Sequence, residues 1–157
     1  MELRLVKWGY RLYFRLAFQV KRVEVVEGVN SKIDDETHFL MWDFDDIELP
    51  LVLIYLFKVQ RRFRLPDISI LKTKENGYHA YCFKACTFEK ARGIIAFTPG
   101  VDKNFLAIGI GRGYFTLRYS DVKGRKIQHV TKLTSKFESD ISYKDVNSFV
   151  KYTKAVK

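Results

Sequence analysis

Pro50 and Pro66 bracket the one long stretch of this chain with unmistakable helical spacing, and the residues on either side read as strands. Apolar side chains at 49, 52, 53, 56, 57 and 63 recur every three or four residues, so one face of a helix over about 49–63 is buried. Proline is tolerated in a helix only in its first turn, which makes Pro50 the start, and Pro66 forbids continuation. Before this helix His38–Phe44 is a short apolar strand; after it Asp67–Thr73 and Tyr78–Phe83 flank Lys74-Glu75-Asn76-Gly77, a strong hairpin signal. Thr87 can cap a second helix over 88–97, stopped by Thr98-Pro99-Gly100.

Residues 105–119 are aromatic, β-branched and interrupted by glycine, which predicts one or two more strands, Tyr114–Ser120 the clearest. On this reading Gly109-Ile110-Gly111-Arg112-Gly113 is a strand bend: it lacks the Gly-Lys-Ser/Thr of a phosphate loop and opens no predicted helix. The order from residue 38 is then strand, helix, strand, strand, helix, strand. That order predicts an α+β protein with an RRM-like, split βαβ (ferredoxin-like) unit, its first and third strands central and parallel. Its two helices share one face and leave the other open unless an N-terminal β-rich segment covers it. The segment before it alternates apolar and basic positions from Tyr10 to Lys21, as a half-buried strand does, and 28–36 reads as a loop. A last amphipathic helix is expected over about 142–153. One domain covers 1–157: an N-terminal β segment (1–30), the core (38–125) and a C-terminal helix with a basic tail (138–157).

Charge narrows the function. Twenty-eight Lys and Arg against 18 Asp and Glu give a net charge of +10, which favours a polyanionic partner, most simply nucleic acid. The longest apolar run, Leu51–Phe57, is far below the roughly 20 residues of a bilayer span, so no membrane association is expected and the cytoplasm is the expected location. Cys82 and Cys86 alone supply neither a disulfide framework nor a zinc site. Yet seven of the 18 acids fall between Asp34 and Glu48 in this basic chain. Asp43 and Asp45, two apart at a strand end, emerge on one face, and His79 of the third strand is expected on that same face. Carboxylates held so close repel unless a cation lies between them, and hard oxygen ligands suit Mg²⁺ or Mn²⁺.

At Phe39-Leu40-Met41-Trp42-Asp43-Phe44-Asp45 and Gly77-Tyr78-His79 the sequence resembles the catalytic core of archaeo-eukaryotic primases and primase-polymerases. Their pattern is a hydrophobic strand ending in Asp-x-Asp or Asp-x-Glu, then a small-x-His strand, then a further carboxylate. The resemblance spans about residues 38–125. It implies template-directed nucleotidyl transfer, with Asp43, Asp45 and a third acid holding two metal ions and His79 contacting the incoming nucleotide's phosphates. Asp102 is the favoured third acid and Asp121 the substitute. The implied partners are a single-stranded template, nucleoside triphosphates and a helicase or other replication protein, and a stand-alone core fits a viral or mobile-element origin.

Beside this resemblance, Lys72, Lys74, Arg118 and Lys123 are candidates for triphosphate or template phosphates, and Arg11, Arg15, Tyr81, Tyr114 and Arg125 for nucleic acid. Two alternatives stay open. One is a metal-dependent nuclease on the same scaffold. The other is a non-catalytic module whose open sheet stacks single-stranded bases on His79, Tyr81, Phe83 and Tyr114.

Overall fold

A computed structural model describes residues 2–7, 10–15, 23–121, 126–146 and 148–155. The described residues form three antiparallel sheets. The strands β1 (Glu2–Lys7) and β2 (Tyr10–Arg15) pair as a hairpin. The strand β3 (Val23–Asn30) is central to a second sheet. The third is built on β4 (His38–Phe44), β5 (Ile68–Lys74) and β6 (Gly77–Cys86), with α1 (Leu49–Phe63) between β4 and β5 and α2 (Phe88–Phe97) after β6. The chain is thus α+β, and these elements start and stop within a few residues of where prolines, the Asn-Gly turn and the Thr87 cap place them. Thr87 Oγ1 accepts the N–H of Lys90, the expected capping bond. Among the described residues, no helix is long and apolar enough to cross a membrane.

The order β4-β6-β5 puts the first and third strands of the unit side by side, but antiparallel rather than parallel. The reason is mechanical. The α1 crossover returns β5 in the direction of β4, and the β5–β6 hairpin then inserts β6 between them, so β6 opposes both. A fourth strand, β8 (Gln128–Leu133), which the sequence pattern did not reveal, takes the free edge of β5.

Three further expectations are corrected. Residues 103–112 form a helix, α3 (Lys103–Arg112), not strands, and of 105–119 the strand β7 (Thr116–Arg118) remains. Asp102 Oδ1 accepts the N–H of Phe105 at 2.7 Å and so nucleates α3. The glycine run is therefore the end of a helix, and Gly109 is required there because a Cβ would run into the Phe115 ring. Next, β7 pairs with β3 rather than with β4. Finally, the expected C-terminal helix is a single 3-10 turn, Tyr143–Asp145, followed by β9 (Phe149–Ala155) on the other edge of β3. Phe149, Val150 and Thr153 are strand formers, and an open edge of β3 decides between the two periodicities. The second sheet is thus β7-β3-β9, and β3 occupies part of the supposed 28–36 loop.

Both faces of β4 are buried. On one, Trp42 and Phe44 are inaccessible, and the Trp42 indole N–H donates to Thr98 Oγ1 at the end of α2. There α1 meets α2 through an edge-on contact of Phe63 with Phe97. On the other, Phe39 and Met41 are buried in one core with Val29, Phe115 and Leu117. The face that was expected to stay open unless the N-terminal β segment covered it is covered, by Val29 of β3 together with Phe115 and Leu117, and His79 is only 4% exposed.

Candidate metal centre

The site is assembled where β4 ends. Asp43 lies directly opposite His79 in the β4–β6 register, so both side chains leave the same face of the sheet, as expected. Asp43 Oδ1 and His79 Nε2 are 3.6 Å apart, too far for a good hydrogen bond. Burial, helped by the Arg118 guanidinium, pushes the His79 imidazole down to about 3, so the ring is neutral at physiological pH. Its Nδ1 is buried without a hydrogen-bond partner. Asp43 moves the opposite way. Burial first, then the charges of Asp45 and Asp102, push its carboxyl up to about 7, with Lys74 and Arg118 opposing.

Asp45 lies just past the strand, and Lys74 at the end of β5 reaches it: Nζ is 3.1 Å from Asp45 Oδ1 and 3.7 Å from Asp46 Oδ1. Gly77 permits this, because a side chain there would collide with the Lys74 stem as it folds back across the hairpin. The Ile47 N–H donates to the Asn76 carbonyl at 3.0 Å, tying the acidic turn to the hairpin tip. The part played by Asp46 escaped the sequence reading, although its place next to Asp45 was a signal.

Asp102 joins the pair, and Asp121 does not. The Asp102 N–H donates to the Asp43 carbonyl at 2.8 Å, and its carboxylate is one of the charges that raise Asp43. Its Oδ1 is meanwhile committed to the α3 cap. Asp121 Oδ1 accepts the Ile127 N–H at 3.2 Å and serves a turn. Arg118 is near enough to act on both Asp43 and His79, while its own guanidinium donates to the Ser120 and Thr73 carbonyls.

No protein-family model, curated protein or solved structure matches the chain.

The remaining candidates are not gathered here. Lys72 pairs with Tyr78, which pairs with Phe44, so it belongs to the row opposite to Asp43 and is solvent-exposed. Tyr81 is buried edge-on to His79, Phe83 packs on Phe39, and Tyr114 is half-buried with the Lys32 amino group 5.8 Å from its ring centre. These aromatics therefore do not form the open stacking sheet expected of a binding module. Arg11 and Arg15 lie in β2, opposite Val6 and Glu2. Lys123 and Arg125 fall outside the described residues.

Among the described residues, no three His, Cys, Asp or Glu side chains already converge on one point as metal ligands. By donor chemistry alone, the Asp43 carboxyl and the Asp45 and Asp102 carboxylates whose charges raise it are hard oxygen ligands of the kind a divalent cation takes. Asp43, Asp45 and Asp102 would hold it. The two thiols offer nothing comparable: Cys82 and Cys86 are buried, and burial raises both, Cys86 to about 11.

Proposed function

We propose that this chain is a metal-dependent nucleotidyltransferase that acts on nucleic acid, of the primase–polymerase kind. The observation that carries the reading is the cross-strand Asp43–His79 pair, with Asp45 and Asp102 beside it and the cations of Arg118 and Lys74 at its rim. The β4-α1-β5-β6-α2 order, with β4 next to β6, supports an RRM-like core as far as α2. From there the chain departs from that plan, since β7 joins β3 and β8 takes the β5 edge.

Bound Mg²⁺ or Mn²⁺ would activate the attacking hydroxyl and stabilise the pyrophosphate leaving group. The side chains have separate tasks. Asp43, Asp45 and Asp102 supply the negative charge that fixes the ions. The resemblance gives His79 the contact with the triphosphate, but its neutral ring is 4% exposed and in this closed arrangement faces Asp43 rather than a substrate. Arg118 and Lys74 offset charge on the phosphates, and the protein contributes position and electrostatics rather than a covalent bond. The closed face at His79 and Tyr81 weighs against the base-stacking module.

The test is incorporation of labelled nucleotides on a primed or unprimed single-stranded template with Mg²⁺ or Mn²⁺, comparing wild type with Asp43→Ala. Incorporation by the wild type, abolished in the variant while template binding persists, is expected. Shortening of the labelled strand instead would identify a nuclease, and metal-independent binding without either reaction would leave a binding module.

A further inference from the structure

A second surface lies at the other end of the four-stranded sheet. The last turns of α1 and the segment that follows β8 enclose a cleft of about 420 Å³, within the size range of small-ligand sites. Phe57, Arg61, Arg64, Lys136 and Phe137 are among its walls, and among the described residues no carboxylate lines it. The cleft starts from a fixed frame. Buried Gln60 donates through Nε2 to the Pro66 and Leu133 carbonyls, both at 3.0 Å, and so joins the end of α1 to the end of β8. Asp67, the nearby acid, is already committed: Oδ1 accepts the Ser135 N–H and Oδ2 pairs with Lys132, both at 2.7 Å.

The cations and rings are arranged in pairs. The Arg61 guanidinium lies 5.7 Å from the centre of the Phe57 ring, and the Lys136 amino group 5.5 Å from that of Phe137. Phe57 is 47% exposed, so its ring is open to a ligand. Flat apolar rings interleaved with cations that no described carboxylate pairs, in a chain with a net charge of +10, match the two parts of a nucleotide: a base to stack and phosphates to neutralise.

We propose that this cleft binds single-stranded nucleic acid, with a base stacked on Phe57 or Phe137 and the neighbouring phosphates on Arg61, Arg64 and Lys136. β5 runs from the cleft end of the sheet at Ile68 to Lys74 at the acidic turn, seven residues rising about 3.3 Å each, so the two sites are roughly 20 Å apart. The cleft is an accessory hold on the strand, outside the metal centre. It rests on the nucleotidyltransferase reading only in the choice of nucleic acid as partner.

Fluorescence anisotropy of a labelled oligodeoxythymidylate, measured over a range of salt, tests it on the full chain. Wild type binds, and its affinity falls linearly with salt on a double-logarithmic plot. The double variant Arg61→Gln with Lys136→Gln is expected to bind at least tenfold more weakly, with a salt slope shallower by roughly 1.4, about 0.7 for each lost phosphate contact. Phe57→Ala with Phe137→Ala is expected to lose about tenfold at an unchanged slope. Melting curves identify any variant that fails to fold, and Phe57→Ala alone, at an exposed position, then carries the aromatic arm. Wild-type affinity in both double variants would overturn the cleft and leave the metal centre as the binding surface. Loss in the charge variant with none in the aromatic variant would overturn base stacking. No binding by the wild type would overturn the cleft and remove the partner on which the proposed activity depends.

Discussion

Asp43 and His79 face each other across β4 and β6 and hold protons in the reverse of the usual order, the carboxyl titrating at about 7 and the imidazole at about 3. The opposed shifts make a prediction about stability. Asp43, raised in the folded chain, favours folding at low pH, and that contribution is lost as pH rises from its unfolded value near 4 to about 7. His79, depressed in the folded chain, does the reverse: folding gains as pH rises from about 3 towards its unfolded value near 6.5. The two slopes nearly cancel in the wild type. Denaturant melts between pH 4 and 6.5 should therefore be almost flat in their contribution, should rise with pH in Asp43→Asn and should fall with pH in His79→Leu. Each unmasked slope approaches roughly 1.4 kcal/mol per pH unit. Parallel pH profiles in all three proteins would refute the inverted order.

A divalent cation should exploit the same carboxyl. Added at neutral pH, Mn²⁺ is expected to raise the melting temperature and to release a proton from Asp43, read as buffer-dependent heat in calorimetry. At a hundredfold excess over its dissociation constant the ion stabilises by about 2.7 kcal/mol, several degrees for a chain of this size. Asp43→Asn should abolish both signals. An undiminished shift in that variant would place the ion elsewhere.

The elements legible in the sequence are those whose boundaries are set locally. Pro50 and Pro66 delimit α1, Thr87 caps α2, and Asn76-Gly77 turns β5 into β6; these local signals mark the elements, and the order of the elements then sets β4 beside β6 with Asp43 opposite His79. What could not be read was set by partners distant in sequence. Gly109 and Gly111 lower the helix propensity of 103–112, and only the Asp102 cap and the fit of Gly109 against Phe115 make it a helix. Residues 149–155 carry both periodicities, and the edge of β3, more than a hundred residues earlier, selects the strand. The burial of His79 follows from the same cause, since β7 pairs with β3 and brings Arg118 to Thr73 beside it.

Lys74 is a counter-ion to Asp45 and Asp46. Its replacement should therefore separate ion binding from phosphate binding. Lys74→Met is expected to tighten Mn²⁺ severalfold, because a competing cation is gone, and to raise the KM for nucleoside triphosphate. Its effect on stability should stay within about 1 kcal/mol, since the pair is partly open to solvent. Weaker Mn²⁺ binding in the variant would mean that Lys74 organises the acids rather than competing for them.

The helix that replaces the expected strands can be tested at one atom. In α3, Gly109 stands against the Phe115 ring, and a methyl group there would overlap it. Phe115 is fully buried and also touches Phe88 and Phe105, so it has nowhere to retreat. Gly109→Ala should accordingly destabilise by about 1–3 kcal/mol, although alanine is the better helix former by about 1 kcal/mol. Gly111→Ala, with open space around its Cα, should instead be neutral or stabilising. Because α3 is anchored by Asp102, whose N–H holds the Asp43 carbonyl, the Gly109 variant should also weaken Mn²⁺ binding, whereas Gly111→Ala leaves it unchanged. Equal effects of the two alanines on melting would show that 103–112 does not pack as this helix.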